Sequence, residues 1–175
     1  MYSRCYTHVL NYHHAVDFCA SFHHCYADSG LFGISAVVLP QYNKKIVDVL
    51  VRELSLLTLP AYLGGVNVVE LERAKNQLKS SLMMALESRL VQVEDLGRQV
   101  QVSGKRVSID EMCDKINEID VDTIIRVADR ILKPKKGDLN NGKGSGEPTV
   151  VCQGPLSGLK DVKRTLNSYG LGGNS

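Results

Sequence analysis

The chain has 175 residues, 43% of them hydrophobic and 23% charged, values ordinary for a globular protein and within the size of one domain. A net charge of +2 argues against a nucleic-acid binder, which concentrates basic residues on one face. No apolar stretch is long enough to cross a bilayer, and five cysteines without paired spacing fit a reducing compartment better than a disulfide framework.

Residues 2–14 predict a helix with apolar positions at Cys5, Val9 and Tyr12. Phe18 to Tyr26 alternates and predicts a strand. Asp28-Ser29-Gly30 is a turn signal, and the β-branched run Leu31 to Leu39 completes a hairpin that Pro40 ends. Tyr42 to Leu57 places Ile46, Val49, Leu50, Leu54 and Leu57 on one helical face, and Gly64-Gly65 marks a loop.

Asn67 followed by Glu70 is a capping-box start for a long helix. Its apolar stripe runs through Leu71, Ala74, Leu78, Leu82 and Ala85. Arg89 interrupts the stripe, and a new one begins at Val93, Leu96 and Val100, so a bend is expected near Ser88. Met83 and Met84 are expected to fill the core. Ser108 with Glu111 repeats the capping signal, and Asp120 caps a further helix closed by Pro134. Residues 137–147 form a Gly- and Asn-rich loop. TVVCQ, between Pro148 and Gly154, predicts a third strand, and Leu159 to Tyr169 a last helix stopped by Gly170. The fold class is α+β, a mostly antiparallel sheet covered by helices on one face, in one domain spanning 1–175 without internal repeats.

Few residues suggest chemistry. His8, His13, His14, His23 and His24 raise a metal site, but no H-x-x-E-H string is present. Adjacent histidines on a strand point to opposite faces and cannot chelate together. Cys25 beside His24 is adjacency, not a catalytic pair. Gly142 to Gly146 lacks the spacing of a phosphate-binding loop. The acidic residues Glu70, Glu94 and Asp95 could accept a basic peptide side chain. The plainer role of Glu70 is its capping box, and that of Glu94 and Asp95 is a favourable charge at a helix start.

Four stretches carry a resemblance. ELERAKNQLKSSLMMALES followed by EDLGRQV is similar to the second half of alpha subunits of the mitochondrial processing peptidase, a family of pitrilysin-like metallopeptidases. MYSRCYTHVL resembles the helix after the family's glycine-rich loop, and FHHCYADSGLFGIS its strand-turn-strand. The Asn- and Gly-rich insertion before PTVVCQGP resembles the fungal type. The resemblance implies a partial C-terminal domain, with further sheet strands and a targeting presequence lying before Met1. It implies a non-catalytic chain with no cofactor of its own. Its partner would be a beta subunit that holds zinc and cleaves, in a heterodimer of the mitochondrial matrix that captures basic presequence peptides. Neither nucleic acid nor membrane insertion is implied. Glu70, Glu94 and Asp95 fall where the family's alpha subunits are implied in presequence recognition. A structural core subunit of the cytochrome bc1 complex, which shares the fold, is the alternative.

Overall fold

The computed structural model describes residues 3–26, 28–133 and 148–171. The expected loop at 137–147 and the helix stop at Pro134 lie outside the described residues. The chain divides into two compact units, one of Met1–Gly65 with Ile124–Ser175 and one of Val66–Thr123.

The first unit opens on a π-helix, Cys5–Leu10, shorter than the expected helix and more widely wound. It is followed by β1, Val16–Cys25, and β2, Gly30–Val38, an antiparallel hairpin. The register pairs Cys19 with Ala36 and Cys25 with Gly30, and shifts between Val16 and Phe18. That shift is a bulge with a structural consequence. Residues three apart on a regular strand point to opposite faces, yet Val16 and Cys19 are both buried. Across the sheet Phe22 lies over Gly33, where an added Cβ would come within 2.5 Å of the ring.

Helix α1, Asn43–Leu56, buries Ile46, Val47 and Val51; of the expected stripe only Ile46 is buried, while Val49, Leu50 and Leu54 are half-buried beside it. The chain then turns sharply at Gly64 and Gly65. Gly64 takes a left-handed φ of 91°, and a Cβ on Gly65 would sit 1.7 Å from the Leu59 carbonyl oxygen, so only glycine fits there. Arg4 holds this turn from the π-helix, donating to the carbonyls of Gly64 at 3.2 Å and Gly65 at 2.7 Å.

TVVCQ forms no strand. Among the described residues it pairs with neither β1 nor β2, and Val151 is 89% exposed. Its residue types favour β structure, but a strand also needs a partner edge. The segment is instead tethered downstream, where Asn43 donates to the Pro155 carbonyl and Lys160 pairs with Asp48.

The last helix of this unit, Val162–Ser168, starts at Asp161, whose carboxylate accepts from the Arg164 amide. It ends in a Schellman motif. Gly170 is left-handed at φ 70°, its amide donates to the Asn167 carbonyl, and Leu171 donates to Leu166 at 2.9 Å. The motif drives Leu171, 2% exposed, into a core with Val9, Val16, Cys19, Val47, Val51 and Leu166.

The second unit contains α2, Val68–Leu86, α3, Arg89–Ser103, and α4, Ile109–Asn117. A further helix, α5, covers Val121–Leu132, and the helix at Val162–Ser168 is therefore α6. The Asn67–Glu70 capping box is complete in both directions, at 2.8 Å and 3.1 Å. Ser108 likewise accepts from the Glu111 amide, and Asp120 from that of Thr123. The break near Ser88 is present, with that residue extended at ψ 119°.

Burial differs from the expected stripe. On α2 only Leu71 and Lys75 are buried, whereas Leu78, Met83 and Met84 are 49%, 50% and 60% exposed. Core filling by the two methionines is therefore corrected: both side chains are open to solvent. Lys75 is buried because its stem lies along α4 while its ammonium donates to Glu72 and to the Asn117 carbonyl.

Candidate functional site

The three acidic residues lie in the second unit, in three different settings. Glu70 is half-buried, and its Oε2 accepts from the Asn67 amide at the start of α2. Its structural duty is thus visible. Glu94 and Asp95 are placed differently from the helix-start reading. Helix α3 begins at Arg89, so both sit in its second turn, and the first turn holds no acidic residue. The helix dipole acts on charges in the first turn, so it does not account for this pair.

Neighbours on a helix diverge by about 100°, from 3.6 residues per turn, so Glu94 and Asp95 face different ways. Glu94 is exposed. Asp95 is turned inward, its side chain 27% exposed. Its carboxylate accepts from the Gln99 side-chain amide at 2.6 Å, and the Gln99 carbonyl oxygen accepts from the Val107 amide at 2.7 Å. This relay fixes Asp95 against the loop that leads into α4. The Arg98 guanidinium approaches Asp95 at 3.7 Å but is 75% exposed, a solvent-screened contact that an incoming cation can displace.

Asp95 stands at a hollow of about 280 Å³. Leu96, Val107, Ile109 and Met112 wall it, and Gln99 and Arg106 add polar groups. Neither Glu94 nor Glu70 contributes to its lining. Around it the exposed apolar residues Leu90, Val93 and Val100 continue along α3. The arrangement offers a charge-assisted acceptor beside apolar surface, suited to a basic side chain flanked by aliphatic ones.

The histidines lie in the first unit, as do the cysteines other than Cys113, which follows Met112 on α4. His8 meets Glu53 at 3.1 Å, and His13 lies 2.6 Å from the Tyr42 hydroxyl. On β1 the neighbour of Cys25 is His23, two residues back on the same face, at 3.4 Å. His24, its neighbour in sequence, lies beside Phe22 instead. Among the described residues no three His, Cys, Asp or Glu side chains come together as a metal site. One association was missed in the sequence: half-buried Cys5 on the π-helix packs against the core that holds buried Cys19 of β1, although fourteen positions separate them.

Comparison with known proteins adds the lineage. The family model for the peptidase M16 inactive domain matches residues 1–78. Mitochondrial-processing peptidase subunit alpha of Neurospora crassa is 50% identical over 165 residues, covering 93% of this chain and 28% of that protein. The probable alpha subunit of Schizosaccharomyces pombe is 41% identical over 98% of this chain and 33% of its own length. The Bos taurus alpha subunit is 40% identical over 91% of the chain. The chain thus spans 27–33% of the length of these curated relatives. Among solved structures, a chain of complex III2 from Candida albicans superposes with a TM-score of 0.68 over 96% of this chain and 38% of its own, at 17% identity. That likeness speaks for the fold.

Proposed function

From a chain that belongs to the mitochondrial-processing peptidase alpha-subunit family, we propose a non-catalytic role in presequence recognition within that peptidase. The identity to alpha subunits over nearly the whole chain carries this reading. In it, a beta subunit bearing zinc performs the cleavage, and this chain helps hold the basic presequence in the mitochondrial matrix.

Asp95 is the principal acceptor in this scheme. It is anchored by Gln99, it borders a hollow of mixed apolar and polar lining, and a peptide arginine could replace Arg98 on it. Glu94 adds negative charge on the exposed side of the same turn. Glu70 is the third acidic member, already engaged in its capping box.

A second reading, a structural core subunit of the cytochrome bc1 complex, is favoured by the fold shared with the complex III2 chain. Affinity purification separates the two. Tagged in its native cells, the chain should come down with a soluble zinc peptidase subunit and not with membrane-bound cytochromes. Metal analysis should find zinc in that complex and none held by this chain alone. Recovery with cytochromes, or one tightly held zinc per isolated chain, would contradict the proposal.

A further inference from the structure

The loop between α3 and α4 is folded back to the hollow by two fixed points. At Gly104 the chain takes a left-handed φ of 69°, its amide donates to the Val100 carbonyl at 2.9 Å, and α3 stops there. Three residues on, the Gln99 side chain holds the Val107 amide at 2.7 Å. Arg106 stands between these points and lines the hollow together with Asp95. The two opposite charges do not pair. The cation near Asp95 is Arg98, at 3.7 Å, and among the described residues the Arg106 guanidinium has no hydrogen bond or ion pair. A carboxylate and a guanidinium thus border one space of about 280 Å³ without neutralising each other.

On the presequence-binding reading above, we propose that Arg106 is a specificity-determining residue of this hollow, setting what can stand beside the arginine that Asp95 accepts. An acidic or aliphatic neighbour enters with that arginine, and a second arginine or lysine is refused. The volume lies just below the usual range for ligand sites, so the hollow takes only a short stretch of peptide. In an extended peptide, side chains two residues apart share a face and lie about 7 Å apart. The neighbour that Arg106 reads is therefore two residues from the anchored arginine. An acidic side chain there meets the unpaired guanidinium and forms a charge-assisted hydrogen bond. An aliphatic one packs on Ile109 and Met112. A second cation meets a like charge, and the carboxylate that would offset it is already taken.

Arg106 is exposed, so solvent screens its charge and the discrimination is modest. The expected size is about two- to fivefold in Kd, that of a solvent-screened charge pair. It should fade as salt rises. Glu94 does not line the hollow, and its attraction for cations carries no information about that neighbour.

The test uses an assembled alpha–beta peptidase carrying this segment. Peptides with one anchoring arginine carry glutamate, leucine or a second arginine two residues away, on either side, and binding is read by fluorescence anisotropy. The readout is the ratio of Kd for the second-arginine peptide to Kd for the glutamate peptide, taken within each protein so that any general loss of binding cancels. Arg106→Gln should lower this ratio about two- to fivefold on at least one side of the anchor, and Arg106→Glu should lower it further. Arg106→Lys, which keeps the charge, should keep the ratio. Lys105→Gln removes an equal charge one residue away but outside the lining, and should leave the ratio near its native value. The same ratio in the native protein and in Arg106→Gln would overturn the proposal, as would an equal drop in Lys105→Gln. In either case the presequence reading stands if replacing the anchoring arginine by glutamine still weakens binding to the native protein. No loss on that replacement would sink both.

Discussion

Alanine at both Glu94 and Asp95, in an assembled alpha–beta peptidase carrying this segment, should weaken binding of arginine-bearing presequences by about 1–3 kcal/mol, the range for hydrogen bonds to charged groups. That is roughly five- to 150-fold in Kd. Peptides with glutamine in place of the arginines should be nearly indifferent to the substitutions, so the two peptides and two proteins form a double-mutant cycle. The single variants should divide unequally. Asp95 is held by Gln99 at the hollow and should carry the larger share, while exposed and screened Glu94 should carry less. Equal losses for both peptides would show that the carboxylates serve only the helix.

Leu171→Ala should be the most damaging single truncation in the first unit, costing about 2–5 kcal/mol by loss of buried surface and the cavity left behind. Leu171 is 2% exposed and lies where the Schellman motif closes α6 onto the core of Val9, Val47 and Val51. Against a typical total stability of about 5–15 kcal/mol, that is a large fraction. The volume-conserving Leu171→Met should cost less than about 1.5 kcal/mol. Chemical denaturation followed by circular dichroism reads both. A loss below about 0.5 kcal/mol for the alanine variant would mean that the C-terminal segment does not complete this core.

Local signals in the sequence were readable wherever they act locally. Asn67, Ser108, Asp120 and Asp161 cap the helices that follow them, because a cap needs only an amide three residues away. Of these, Asp161 was placed inside the last helix by pattern, which overran its true start. The hairpin and the break at Ser88 follow from turn chemistry and from the interrupted stripe.

What depended on distant partners was not readable. TVVCQ has strand composition and no edge to join. The stripe of α2 predicted a covered face, yet Ala74, Leu78 and Ala85 on it are open, because a stripe states what a helix can bury and not whether its neighbours do so. Lys75 shows the reverse, a charged residue buried because the Asn117 carbonyl lies within its reach. The bulge between Val16 and Phe18 has no sequence signature of its own, so the burial of both Val16 and Cys19 was invisible. For the candidate site, residue types named Glu70, Glu94 and Asp95. Only the position of the α3 start separated the latter two from a helix-dipole role, and only the fold set Asp95 at a hollow.

Site-specific photo-cross-linking tests the central claim most directly. A photoreactive residue replaces Val93, which is 67% exposed and borders the hollow beside Asp95, in the assembled peptidase. Presequence recognition by this segment predicts an adduct with an arginine-bearing presequence peptide, competed by unlabelled peptide and strongly reduced for the arginine-to-glutamine version. An adduct equal for the two peptides, or none with either while the complex still cleaves presequences, would contradict it.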